Sequence, residues 1–485
     1  MQLSELTGAT ADALRNAGTA LLDFMTPTVR LGVTGLARSG KTVFITALVR
    51  NLVAGGRLPF FAAMAEGRIT RAYLEPQPDD RVPRFAYEEH LAEFAKDPPQ
   101  WPQSTRRISQ LRLTIAYIPA TTLRRTLGPG RLHVDIVDYP GEWLIDLPLM
   151  ELTFAEWSLR AVTEARLPHR VATAKDWLAF IATLNADAAA DEPLALTGTD
   201  LFTRYLKAAR APDGEFTAPG PGRFLLPGDL AGTPLITFFP LPPVVGDGYR
   251  RGSLGAMLAR RFESYKTHVV EPFFRDHFAR LDRQIVLIDA LSALNGGASA
   301  VAGLQTSLEA ILKCFRPGAN TWLSRILSRR IDRLLFAATK ADHLHHSSHD
   351  RLEALLRTIA DQAMARAAVA GADVKVMALA ALRATREAEA RQGRERLPCI
   401  VGVPLPGERL GAKTYDGQTE AALFPGDLPS DPTNVGPGGG RANAVHFLRF
   451  RPPRITLEMP SGEEPALPHI RLDRAIEFLL GDRLL

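Results

Sequence analysis

Apolar residues along the chain fall into two alternating patterns. Short continuous runs such as Val29–Thr34, Leu132–Val137, Gln284–Asp289 and Leu334–Ala338 predict strands buried on both faces. Ile108–Tyr117 alternates with period two and predicts a further strand, and Val374–Leu379 a last central one. Between them, helical spacing predicts helices over Val43–Val53, Phe85–Lys96, Phe154–Ala165, Val171–Leu184, much of 251–280, Ala298–Phe315 and His349–Ala370. The rest of 55–105 reads as irregular, and 213–249 is rich in glycine and proline, an ordered loop or a linker. Past residue 395 the pattern changes to short strand-like runs (Cys399–Val403, His446–Phe450), a glycine loop at Gly436–Gly440 and a closing helix over Leu472–Leu480.

Strands alternating with helices predict an α/β fold with a mainly parallel sheet covered on both faces. A core over 29–149 and 281–394 is expected, carrying a mostly helical insertion (150–280) and a small α+β C-terminal module (395–485). Residues 1–28 contribute a short amphipathic helix over Leu14–Met25. That helix lacks a basic polar face, so peripheral membrane contact has no support from the sequence. No apolar run reaches the length of a membrane span.

Composition adds exclusions. At 485 residues, with 46% hydrophobic and 23% charged positions, the chain is neither disordered nor fibrous. Its two cysteines, Cys314 and Cys399, exclude a disulfide scaffold or zinc ribbon. The net charge of +5 is too small for this length to argue for a nucleic-acid partner, and none is expected.

The chemistry is concentrated in a few short motifs. Gly35-Leu-Ala-Arg-Ser-Gly-Lys-Thr42 follows a strand and opens a helix, the context a phosphate loop requires. Its glycines let backbone N–H groups turn inward, and the helix start adds positive potential. Gly35, Ala37, Arg38, Ser39, Gly40 and Val43 are expected around the phosphates, with Lys41 on the β- and γ-phosphates and the Thr42 hydroxyl on Mg²⁺. Asp138-Tyr-Pro-Gly141 matches DxxG at a strand end. Asp138 is expected to hold Mg²⁺ and the Gly141 N–H to meet the γ-phosphate. Asp289, ending another apolar strand, is the competing Walker B acid.

Thr339-Lys-Ala-Asp342 resembles the guanine-reading (N/T)KxD motif. A carboxylate there accepts two hydrogen bonds from guanine that adenine does not offer. Lys340 is expected to cover the base, and Ala380 and Ala381 to add a backbone contact after the last strand. Thr105 in Trp101-Pro-Gln-Ser-Thr105 is the expected second Mg²⁺ threonine, with Ser104 as the alternative. Arg106 or Arg107 is a candidate built-in arginine finger, and Glu142 stands where many GTPases carry the water-orienting glutamine. Ala37 replaces the usual glycine of the phosphate loop. The histidines at 343, 345, 346 and 349 read as a solvated loop beside the base pocket.

Through TGLARSGKT (34–42), WPQST (101–105), DYPGEW (138–143), TKAD (339–342) and the closing run 468–484, the chain resembles the YcjX-like family of bacterial stress-associated P-loop GTPases. That resemblance implies a P-loop GTPase-like core, GTP and GDP as ligands with Mg²⁺, the bacterial cytoplasm, and a link to envelope or heat stress. The leading expectation is a slowly hydrolysing regulatory GTPase whose segments near Thr105 and Gly141 change with nucleotide and act on an unknown protein effector. The alternatives are an ATP-driven remodelling ATPase using Asp289, or a nucleotide or small-molecule kinase.

Overall fold

The computed structural model of the chain describes residues 26–35, 38–103, 107–126, 128–168, 170–209, 220–242, 248–313, 331–369, 371–392, 395–429, 446–457 and 465–485. The expected helix over 14–25, Ala37, Ser104, Thr105, Arg106, Cys314 and the Gly436–Gly440 loop lie outside the described residues.

A seven-stranded sheet organises the molecule. Its strands are β1 (Thr28–Gly35), β2 (Ile69–Glu75), β3 (Ser109–Tyr117), β4 (Gly130–Asp138), β5 (Arg283–Ile288), β6 (Arg333–Ala338) and β7 (Asp373–Ala378), in the order β2-β3-β4-β1-β5-β6-β7. The five strands from β4 to β7 pair in parallel, while β3 runs antiparallel to both its neighbours. Helices flank the sheet, so the α/β expectation is met. The central strands are buried on both faces, which is why they read as continuous apolar runs.

Two strand expectations need correction. Residues 69–75 were expected to be irregular but form β2, an edge strand whose Thr70 and Arg71 face solvent and break the apolar signal. Val374–Leu379 was expected to be central, yet β7 is the opposite edge, and only its last three residues are buried.

Each face has its own core. On one, α1 (Lys41–Val53) and α2 (Tyr87–Ala95) pack with Leu31, Val33, Leu113 and Ile285. The other is covered by the insertion, built on α3 (Phe154–Ala165), α4 (Val171–Ala182), α5 (Glu192–Ala209), α6 (Leu254–Tyr265) and α7 (Glu271–Asp276), and by α8 (Ala290–Asn295), α9 (Gly297–Lys313) and α10 (His349–Val369). α3 starts where Thr153 and Glu156 cap each other's backbone N–H. The insertion is aromatic: Trp157 stacks on Phe262 at 5.0 Å and Trp177 on Tyr205 at 5.4 Å. Its apolar cluster is continuous with Val286, Phe336 and Val376 of the sheet. Phe238 and Phe239 are fully buried in it, so the described part of the glycine- and proline-rich stretch is a packed loop rather than a linker.

The C-terminal residues go to two places. β8 (Arg386–Gln392), β9 (Glu395–Gly402) and β12 (Ala421–Leu423) make a small antiparallel sheet, beside the hairpin of β10 (Arg409–Leu410) and β11 (Lys413–Thr414). No expectation covered β8. Its sequence REAEARQ has no apolar period, and antiparallel pairing with β9 supplies what the pattern lacks. The closing helix α11 (Leu472–Leu480) returns to the main sheet, with Leu472, Ile476 and Leu479 in the same core as α1.

Candidate functional site

Strand register sets where chemistry gathers. Val33 pairs with Asp138, Gly35 with Leu287, Ile288 with Ala338, and Ala338 with Ala378. The carboxyl ends of β1, β4, β5, β6 and β7 therefore emerge along one edge, where open α/β sheets bind ligands.

The loop after β1 is shaped for anions. A Cβ on Gly35 would overlap the Ser39 hydroxyl and lie 2.5 Å from the Leu287 carbonyl, so only glycine fits. Arg38 (φ 64°) and Gly40 (φ 88°) are both left-handed and deliver the chain into the first turn of α1. Ser39, Lys41 and Thr42 are buried at this turn. The Thr42 hydroxyl donates to the Gln103 carbonyl at 3.5 Å, which brings Gln103 against the loop.

At the far end of the edge, the loop after β6 is fixed from several sides. The Thr339 hydroxyl donates to the Ile288 carbonyl at 3.2 Å, so it ties this loop to β5. Lys340 is left-handed (φ 61°), and its ammonium pairs with the Asp289 carboxylate. Asp342 is buried and accepts the Ala384 N–H at 2.8 Å, while the Thr385 hydroxyl donates to the Asp342 carbonyl. Ala380 exchanges backbone hydrogen bonds with Ile470, its N–H donating at 3.1 Å.

Between these two ends lies a cavity of about 310 Å³. Its described lining includes Arg38, Ser39, Gly40, Lys41, Thr42 and Val43 from the first loop, and Thr339, Lys340, Asp342, Ala380 and Ala381 from the far end. It also includes residues the sequence reading missed as site residues: Trp101, Pro102, His343, Leu405, Arg449 and Phe450. The last three belong to the C-terminal module, hundreds of positions from the loop after β1, and no local pattern announces them.

Two acids at strand ends are employed differently. Asp289 caps α8, accepting the Ser292 N–H at 3.1 Å and hydroxyl at 2.6 Å as well as pairing with Lys340. Burial alone would raise its pKa, but the Lys340 charge and these hydrogen bonds outweigh it and hold the carboxyl below its usual range. Asp138 is buried at the end of β4, next to β1. Gly141 and Glu142 follow in a 3₁₀ helix over Gly141–Glu151, with Glu142 buried. Asp138, Gly141 and Glu142 are not part of the cavity's described lining.

That 3₁₀ helix is locked to the insertion. A Cβ on Gly222 would overlap the Glu142 carbonyl, so the two backbones touch. The Arg223 guanidinium lies 3.2 Å from the centre of the Trp143 ring. Asp146 accepts the Tyr265 hydroxyl and the Gly222 N–H, each at 2.6 Å. Burial raises its pKa to about 6 despite these bonds.

The expected solvated histidine loop is only half so. His343 and His349 are buried, the first against the Phe450 ring at 5.0 Å, the second bonded to the Ala341 carbonyl at 2.9 Å. Burial lowers the pKa of both, so they pack as neutral rings. His346, on the outside, pairs with Glu387 at 2.8 Å, with His345 beside it.

Residues 29–484 match the family described as YcjX-like family, DUF463. The chain is 38% identical over 468 residues to a protein of Escherichia coli (strain K12) named Ras-like GTPase YcjX, covering 94% of this chain and 96% of that one. It is 35% identical over 480 residues to a protein of the same name from Shewanella oneidensis, covering 94% of each.

Proposed function

The chain belongs to the YcjX-like family, and from that premise we propose that it is a regulatory GTPase that binds guanine nucleotide in this cavity and hydrolyses GTP to GDP and phosphate. The observation that carries the reading is the shared lining: Lys41 and Thr42 of the phosphate loop and Asp342 of the loop after β6 border one cavity.

In this reading the inward N–H groups of the loop 35–43 and the Lys41 ammonium hold the phosphates. Asp342 reads the base through the oxygen that its Ala384 bond leaves for guanine, and Lys340 covers the base face. Thr42, in the first turn of α1, and Asp138, at the end of β4 beside β1, offer hard oxygen donors, a set that suits Mg²⁺, with Thr105 completing it. When bound, the ion neutralises charge on the β- and γ-phosphate oxygens. The Gly141 N–H meets the γ-phosphate, and Glu142 or Arg106 assists the attacking water in a slow reaction. Because Glu142 and Asp146 are welded to the insertion, a shift at Gly141 reaches its helices. We assign the switch, on the resemblance, to the bacterial cytoplasm and a stress response, with a protein effector on the insertion. Among the described residues no helix is long and apolar enough to cross a membrane.

The test is displacement of fluorescent GDP from the full chain with Mg²⁺ present. Unlabelled GDP should compete at least about 100-fold better than ADP, since an unpaired buried carboxylate rejects adenine. Equal competition by ADP would move the protein to the ATPase reading.

A further inference from the structure

The cavity has a wall that a phosphate loop and a base-reading loop do not account for. Arg449 and Phe450 come from the described stretch 446–457, which crosses from the small β-sheet toward the main one. This stretch is held on its own side by the module. The Leu405 N–H donates to the Arg449 carbonyl at 2.8 Å, and the Arg451 N–H to the Val403 carbonyl at 2.8 Å. Glu408 accepts from Arg449 twice, from its backbone N–H at 3.0 Å and from Nε at 2.6 Å. On the cavity side it touches both ends of the site. The Phe450 ring meets His343, one residue past Asp342, at 5.0 Å. The Phe450 carbonyl accepts the Trp101 indole N–H at 2.7 Å, and Trp101 begins the segment whose Gln103 carbonyl meets Thr42.

One residue of the C-terminal module thus bridges the base-reading loop and the segment beside the phosphate loop. Resting on the GTPase reading above, we infer that the Phe450 strip is the outer wall of the nucleotide pocket and that the Trp101–Phe450 hydrogen bond is its clasp, so that nucleotide leaves only when the 101–103 segment and the C-terminal module part. The bond is directional and part-buried, its acceptor is a backbone carbonyl that cannot swing away, and Glu408 fixes the backbone presenting it. Trp101 and Glu408 act as positioning residues, holding the wall rather than touching phosphate.

The experiment is a chase of fluorescent GDP from the full-length protein by excess unlabelled GDP. Trp101→Phe keeps an aromatic ring against Phe94 and removes the donor together with part of the indole's bulk, so Glu408→Gln is read beside it. The release rate should rise roughly threefold to tenfold, as for losing one such bond, while the association rate stays within about twofold. Glu408→Gln should raise release by a smaller factor. A fold-wide weakening lowers the amount of nucleotide bound but leaves the release rate of the bound fraction alone, so the rate separates positioning from stability. Melting without nucleotide is read alongside, and an early-melting Trp101→Phe protein leaves the decision to Glu408→Gln. Unchanged release rates in a well-folded variant overturn the clasp while leaving the GTPase reading intact. A wild-type protein that binds no guanine nucleotide overturns both.

Discussion

Two segments leave the strand ends of β4 and β6, separated by β1 and β5 at the same edge of the sheet, and are held in different ways. The 3₁₀ helix 141–151 after β4 is held largely by packing: its backbone touches Gly222 and Trp143 lies under Arg223, with the hydrogen bonds of Asp146 to Tyr265 and Gly222 enclosed within that packing. The loop 339–343 after β6 is held by directed hydrogen bonds, to Ile288, Ala384, Thr385 and Asp289. Packed contacts transmit displacement, because a dense core shifts as a unit. A network of short polar bonds instead fixes a carboxylate in one place. The first arrangement suits a segment that moves with the γ-phosphate and the second one that recognises a base.

Paired glycine substitutions test this difference most harshly. Gly222→Ala forces a methyl group into the Glu142 backbone carbonyl, which cannot rotate away, and should cost roughly 3 kcal/mol of stability. Gly402→Ala, on the base side, brings a methyl group to 2.9 Å from an edge carbon of the Phe450 ring, and should cost about 1 kcal/mol because a side chain can yield. Chemical denaturation measures both, and equal costs would erase the contrast.

A gentler probe is pH. The Asp146 carboxyl is raised from 3.8 to about 6 in the fold. The folded state therefore keeps a proton that the unfolded chain gives up. The stability from this group is fully present below about pH 4 and is lost as pH rises through 6, by roughly 3 kcal/mol in all. Asp146→Asn removes that slope. The stability of the wild type relative to this variant should fall between pH 4 and 7 by most of that amount, and a flat difference would mean that Asp146 is not buried as an acid.

How far the sequence could be read follows from the same contrast. The phosphate loop, DxxG and TKAD are contiguous, and their strand-then-turn context is visible within ten residues. The strands that carry them are buried on both faces, which makes their apolar runs plain. β2 and β8 escaped because exposed edge strands are stabilised by pairing with β3 and β9, leaving no apolar period to see. The wall at Leu405, Arg449 and Phe450 escaped because its contacts to Trp101 and His343 are purely tertiary. His343 and His349 looked solvated because a run of four histidines suggests water, and only the fold shows two of them turned inward.

The central claim is that Asp342 reads a guanine base at the far end of a phosphate-binding cavity. Asp342→Asn tests it most directly, since the amide oxygen can keep the Ala384 N–H bond while the new NH₂ faces the ligand. The expected result is a fall in GDP affinity of about 100-fold or more with a matching gain for xanthosine diphosphate, whose ring carbonyl accepts where guanine's amine donates. An Asp342→Asn protein that still prefers GDP to xanthosine diphosphate would contradict the account.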